Sequence, residues 1–285
     1  MSVRTTLMLA CATGALAACG GERPDATAQM ATSECVPVTE GQFFVVQNGL
    51  FVRADTPDPE VIERIVQAPR SWDETLEESF ANLGYPWLGL NVRGEVATLT
   101  GLAPDAAAKE RAFEDGADAI KADPTGGQQI SLVVDGISVE GGETGVGAAL
   151  AELDERPTVE SCNETFAKTM AGRNVEFALG SAEISPVSAR LLDAVTGVAI
   201  SCANYNIEVG GHSDTRGSAA RNLALSDDRA VAVRAYLIAN GVPAEGITAV
   251  GYGATQLLSD GNTMEDHARN RRTEFVVTDR PATDD

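Results

Sequence analysis

The sequence predicts an α+β protein. Short apolar runs with alternating pattern read as strands, and longer stretches with apolar residues every three or four positions read as helices. The two kinds of segment interleave through most of the chain, with Gly, Pro and Asn-Gly at their boundaries. The chain has 285 residues, is 44% hydrophobic and 22% charged, a globular composition long enough for two compact domains.

The first 40 residues read as an address and a tether. Arg4 gives a basic start, an apolar stretch follows from Leu7 to Leu16, and Ala17-Ala18-Cys19 ends it. This is too short to span a bilayer as a mature helix, so residues 1–18 read as a secretory signal peptide. From Cys19 the chain is rich in Gly, Ala, Thr and charge without apolar periodicity, and residues 19–40 are assigned as a flexible tether.

Residues 41–140 read as small α/β units. Phe43–Val46 and Leu50–Val52 flank Gln47-Asn48-Gly49, a hairpin signal. A helix is expected from Pro59, with Val61, Ile62, Ile65 and Val66 buried. A second is expected from Trp72 to Leu83, with Leu76, Phe80 and Leu83 inward. Leu88–Val92 and Val96–Thr100 read as strands around the Arg93-Gly94 turn. A helix from Pro104 to Lys121 and a strand at Ile130–Val134 follow. Gly49 and Gly94 lie 45 residues apart, as do Pro59 and Pro104, which leaves open one unit or two. Acids such as Asp58, Glu60, Glu63, Glu74, Glu77 and Glu78 read as a solvated face.

Residues 141–157 form a Gly-rich linker, and residues 158–278 a second domain. A helix is expected from Thr158 to Met170 and a strand at Asn174–Phe177. Ser185-Pro186 starts a helix with Leu191, Leu192, Val195 and Val198 inward. Tyr205–Ser213 is a strand entering a turn. Ser218 caps the next helix, which ends near Asn240 at Gly241, with Pro243 beyond. On it Asn222, Ser226 and Arg229 share one face, while Leu223, Ala230, Val233 and Leu237 share another, read as core. Ile247–Tyr252 and Arg272–Val277 are strands, and His267 is placed on a surface helix. The order is β-α-β-α-β-α-β, and residues 279–285 read as a disordered tail.

The net charge of −21 excludes a nucleic-acid partner, which needs a basic footprint. Residues 1–162 carry 26 acidic and 10 basic side chains, and residues 163–285 carry 16 and 11. The less acidic C-terminal part is the better place for a charged ligand. No Cys/His or Ser/His/Asp constellation and no His-Glu-x-x-His spacing is present, so no catalytic residue, metal or cofactor is expected.

Three resemblances add to this reading. Leu16-Ala17-Ala18-Cys19 resembles the bacterial lipobox, which implies cleavage before Cys19 and acylation of it. Gly20, in place of aspartate, then points to the outer membrane, with the protein facing the periplasm. Trp87-Leu-Gly-Leu-Asn-Val-Arg-Gly-Glu-Val-Ala-Thr-Leu-Thr-Gly101 with the alanine-rich helix after it resembles the BON domain, read here as a spacer or protein-contact module.

The third covers about residues 163–278. Its segments are Val175-Glu-Phe177 with Ser181-Ala-Glu-Ile184; Val209-Gly-Gly-His-Ser-Asp-Thr-Arg-Gly217, Asn222-Leu-Ala-Leu-Ser226 and Arg229-Ala230; and Gly251-Tyr-Gly253 with Asn270-Arg-Arg272. Together they resemble the OmpA-like peptidoglycan-binding family. The resemblance implies a ligand, the diamino acid of the peptidoglycan stem peptide, which carries a carboxylate and an ammonium at one end. Asp214 would hold the ammonium and Arg229 the carboxylate, as a planar bidentate donor. Ser213 and Asn222 would add neutral hydrogen bonds. Where many family members have aspartate after the phenylalanine, this chain has Ala178, so one accessory acceptor is missing. Arg271 and Arg272 are read as structural, pairing acids such as Glu208, and His212 as a packed turn residue.

An oxidising envelope allows a disulfide. Cys162–Cys202 is the expected pair, leaving Cys35 odd. The expected function is a non-enzymatic lipoprotein that tethers the outer membrane to the wall. A Pal-like component of a Tol-type constriction complex, with envelope-protein partners, is the alternative. A wall-modifying enzyme is the reading with least support.

Overall fold

The computed structural model describes residues 43–47, 50–54 and 71–280. The signal peptide, Cys19, the tether, Cys35, the helix expected from Pro59 and residues 281–285 lie outside the described residues. The chain divides into two compact units, Met1–Ala68 and Pro69–Asp285. In the first, β1 (Phe43–Gln47) and β2 (Leu50–Ala54) pair antiparallel with Gln47 opposite Leu50.

The second unit begins with α1 (Trp72–Asn82), where Ser71 and Glu74 form a capping box. Phe80 is its buried anchor, whereas Leu83, expected inward, falls at the C-cap and is exposed. Next come β3 (Leu88–Arg93), β4 (Val96–Ala103), α2 (Ala106–Ala122) and β5 (Leu132–Val139). Asp105 starts α2 by accepting from the Ala108 amide at 2.7 Å. The strand order is β3-β4-β5, antiparallel then parallel, with α2 as the crossover.

This sheet is buried on both faces, and the alternation along β4 and β5 shows how. Ala97, Leu99 and Ile137 point to a core with Phe80, Ala112 and Ile120. Val96, Leu132 and Val134 point the other way, into the core of the C-terminal part. The Gly-rich stretch 141–157 is therefore a packed joint and not an open link. Its one-turn helix Ala148–Ala151 places Leu150 in that second core, with Leu153 just beyond. A Cβ on Gly145 would lie 2.4 Å from the Gly136 carbonyl, so only glycine lets the segment lie against β5.

The remainder holds α3 (Val159–Met170), α4 (Ala189–Ser201, entered by a 3-10 turn at Pro186–Ser188), β6 (Asn206–His212), α5 (Ala219–Ala239), β7 (Ile247–Gly253), α6 (Met264–Asn270) and β8 (Thr273–Thr278). The strand order is β7-β6-β8, with β6 parallel to β7 and antiparallel to β8. Leu191, Leu192, Val195 and Val198 of α4 meet Ile207, Val209, Phe275 and Val277 in one core. Cys162 on α3 and Cys202 at the end of α4 form a disulfide across 40 residues of sequence, with Cα atoms 6.2 Å apart.

Four expectations need correction here. The strand at 174–177 reduces to one bridge, Phe177 to Ile184. The Asn174 side chain takes its place at the sheet edge, donating to the Arg271 carbonyl at 2.5 Å and accepting from the Thr273 amide at 3.2 Å. Asn163 does the same further along, to both backbone groups of Val277, so side chains cover the β8 edge. Leu223, expected in the core, is exposed on the first turns of α5, while Ala230, Val233 and Leu237 are buried. His267 is buried rather than on the surface. Arg280, placed in the tail, donates Nη2 to the carbonyls of Ala203 at 2.7 Å and Glu245 at 2.9 Å.

Candidate functional site

The site is built where β6 runs into α5. The backbone of β6 leaves the sheet at His212, Ser213 and Asp214, all buried. The Ser213 amide donates to the Gly253 carbonyl at 2.8 Å, which fixes the turn to the end of β7. Ser218 accepts from the Arg221 amide at 3.3 Å and starts α5. The helix then lies directly on β6. A Cβ on Gly211 would be 2.1 Å from the Ser226 carbonyl oxygen, so the glycine sets how closely helix and strand approach. Ser226, buried, locks the contact by accepting from the Gly253 amide at 2.9 Å.

Asn222 and Ser213 shape the turn around Asp214. Asn222 Nδ2 donates to the carbonyls of Asp214 at 2.8 Å and Arg216 at 3.0 Å. Ser213 Oγ donates to the Asp214 carbonyl at 3.2 Å. In the structure both residues therefore serve the backbone of the turn.

The Asp214 carboxylate is fully engaged. Oδ1 accepts from the Arg216 amide at 3.0 Å. Oδ2 accepts from Arg216 Nε at 3.0 Å and Nη2 at 2.6 Å, and from Arg271 Nη1 at 2.8 Å. Burial alone would raise the carboxyl pKa. The hydrogen bonds from Arg216 and Arg271 outweigh it and hold the group at about 2.

Arg229 lies on the same face of α5 but pairs differently. Its Nε donates to the Ser181 carbonyl at 3.0 Å, and its guanidinium carbon sits 4.8 Å from the centre of the Phe177 ring. Burial, and then the charge of nearby Arg271, push its pKa down. No ion pair joins Asp214 to Arg229 among the described residues. Arg271 is bonded to Asp214, and its charge acts on Arg229.

Arg271 pairs an acid, as expected for it, and that acid is Asp214. Arg272 has a structural role with a different partner: its Nε donates to Glu274 Oε1 at 2.5 Å. Glu208, expected as the acid for this pair, instead accepts from the Tyr252 hydroxyl at 2.5 Å. His212 stacks on Tyr252 with ring centres 5.0 Å apart, and its Nε2 is 3.2 Å from Glu274 Oε2. Burial and then the Arg272 charge lower its pKa, against the opposing pull of Glu274.

A cleft of about 250 Å³ opens beside these groups, lined by Phe177, Glu176, Arg229, Arg271, Arg272 and Thr273 among others. Two residues of the site escaped the sequence reading. Arg216 stands inside the quoted motif, two places after Asp214, where an Asx-type turn brings a guanidinium back onto its own carboxylate. The Ser181 carbonyl is a backbone acceptor near the position where Ala178 replaces an acid, and it carries no side-chain signal. Among the described residues, no group of His, Cys, Asp and Glu side chains is arranged to hold a metal ion. Among them, too, no helix is long and apolar enough to cross a membrane.

Known proteins resemble this chain as follows. Residues 176–271 match the model of the OmpA family. The peptidoglycan-binding protein ArfA of Mycobacterium tuberculosis (strain CDC 1551 / Oshkosh) is 30% identical over 235 residues, 81% of this chain and 66% of that protein. The chain thus spans just under two thirds of that relative. The peptidoglycan-associated lipoprotein of Buchnera aphidicola subsp. Baizongia pistaciae is 28% identical over 117 residues, 41% of this chain and 68% of that one. The crystal structure of the peptidoglycan-associated lipoprotein from Burkholderia pseudomallei shares 31% identity, covers 36% of this chain and 88% of that chain, and has a TM-score of 0.34.

Proposed function

Because the C-terminal domain belongs to the OmpA family, we propose that this protein binds peptidoglycan without covalent chemistry, through the diamino acid of the stem peptide. The observation that carries the reading is the charge layout at the turn after β6. An Arg229 guanidinium whose Nη groups have no protein acceptor among the described residues lines an open cleft with Arg271, and Arg271 in turn pairs the buried Asp214 carboxylate. A zwitterionic end group needs such an anion and cation within one side-chain length. Arg229 would take the carboxylate, with Arg271 able to share it, and Asp214 would face the ammonium. Asn222 and Ser213 would support the turn that presents Asp214.

In this reading the lipobox-like Cys19 anchors the chain to the outer membrane by its acyl chains, and the wall-binding domain faces the periplasm. The protein is then a tether and not an enzyme. Full-length protein in detergent is mixed with purified peptidoglycan and sedimented. Wild type is expected in the pellet. Arg229→Ala is expected to weaken binding by roughly 2–5 kcal/mol and stay in the supernatant, because it leaves the ligand carboxylate without its main partner, and Asp214→Ala is expected to weaken binding by less. Equal pelleting of all three would remove this site from the account.

A further inference from the structure

The turn after β6 holds more charge than a two-charge clamp needs. Asp214 is 5% exposed, and what covers its carboxylate is protein. Arg216 supplies Nε at 3.0 Å and Nη2 at 2.6 Å to Oδ2, and Arg271 supplies Nη1 at 2.8 Å to the same oxygen. A guanidinium and an alkylammonium are both charged N–H donors to a carboxylate. Oδ2 of the carboxylate expected to receive a ligand ammonium therefore already has three donors from within the chain.

Of the two guanidiniums, Arg216 is the one free to leave. Its side chain is 50% exposed, against 38% for Arg271. It projects from the turn itself, and among the described residues its side chain's hydrogen bond outside Asp214 is a weak 3.9 Å approach of Nη1 to Met264 Sδ. Arg271 is tied at its carbonyl by Asn174 and lines the cleft together with Arg229. The Arg216 amide, which donates to Oδ1 at 3.0 Å, would keep the turn closed when the side chain moves.

We propose that Arg216 is a specificity-determining residue: its guanidinium substitutes for the ligand's ammonium on Asp214, and the ammonium binds only by exchanging with it. The proposal rests on the diamino-acid reading of the site. Exchange makes the ammonium's net contribution small, since one charged hydrogen-bond donor replaces another on the same oxygen. Selectivity then falls on the carboxylate end, which meets Arg229 and Arg271. The other charged groups lining the cleft are Glu176 and Arg272, and Arg272 is already paired with Glu274.

The test uses the full chain and two synthetic stem tripeptides, one ending in diaminopimelate and one with hydrogen in place of its distal ammonium. Calorimetry at pH 7 gives the ratio of the two affinities. Arg216→Ala is expected to raise the ratio about tenfold in favour of the diamino peptide, the size of one charged hydrogen bond recovered. Arg216→Lys, which keeps a cation at the same reach, is expected to hold the wild-type ratio. A ratio that stays level or falls in Arg216→Ala overturns the proposal, and leaves the clamp standing if wild type binds. If neither wild type nor variant binds either peptide, the clamp reading fails and takes this one with it.

Discussion

Asp135 and Asp214 are both buried aspartates held by two cations, yet they stand in opposite kinds of surroundings. Asp135 sits in β5 among apolar neighbours, with Lys109 Nζ at 3.2 Å and Arg190 Nη1 at 2.9 Å. Its cations come from α2 and α4, so the cluster crosses the junction between the parts of the second unit that carry the two sheets. They are themselves well covered, 17% and 35% exposed. Arg190 is further fixed by Glu110 at 2.5 Å and by the Phe113 ring, 4.4 Å away. At Asp214 the cations are 50% and 38% exposed, and one of them arises two residues away on the same turn. The difference teaches that a buried, paired carboxylate is not by itself a binding site. Where the partners are packed on two elements, the pair joins them. At Asp214 one partner is half-exposed and a cleft adjoins the other.

The comparison predicts unequal costs for unpairing. Asp135→Ala would leave Lys109 and Arg190 facing each other at the junction, and should destabilise the fold by about 3 kcal/mol in urea titration. A loss under about 1 kcal/mol would show that the junction does not depend on this cluster.

The next effect is smaller and confined to acid. The Asp214 carboxyl is held at about 2 in the folded protein, below the ordinary 3.8. Its stabilisation is therefore fully present above about pH 4 and is lost as pH falls through about 2, amounting to about 2 kcal/mol. The stability gap between wild type and Asp214→Asn should be constant from pH 7 to about 4 and close below that. A gap that is flat down to pH 2 would contradict the pairing described here.

The smallest effect separates the two sites most cleanly. Arg216→Ala should cost less stability than either of these, because the Asp214 carboxylate keeps Arg271 and the residue-216 amide as donors. A loss matching that of Asp135→Ala would make Arg216 a structural residue.

Much of this was legible in the sequence, and the misses have physical causes. The helices from Trp72, Pro104, Thr158, Ser185 and Ser218 and the strands of both sheets follow from caps, turn residues and periodicity, which are local properties. Asp214 and Arg229 stand out because a ligand with two opposite charges needs one of each, and Asn222 because it shares the helix face with Arg229. What failed depended on contacts distant in sequence. The segment at Asn174 alternates like a strand, but its asparagine side chain binds the sheet edge in place of the backbone. Leu223 has core spacing, but its backbone lies against Gly253 of β7 and its side chain is exposed. The stretch 141–157 has linker composition because its glycines pack against β5. Asp135 did leave a trace: a single acid inside the apolar run Leu132–Val139 implies a buried charge that must find a partner.

The central claim concerns where the two ends of a zwitterion lie. A crystal structure of the chain grown with a stem peptide ending in the diamino acid tests it most directly. The account predicts density for the terminal carboxylate within hydrogen-bonding distance of Arg229, with the ammonium at Asp214. Density for the peptide away from this turn, or with the carboxylate against Asp214 and the ammonium against Arg229, would contradict it.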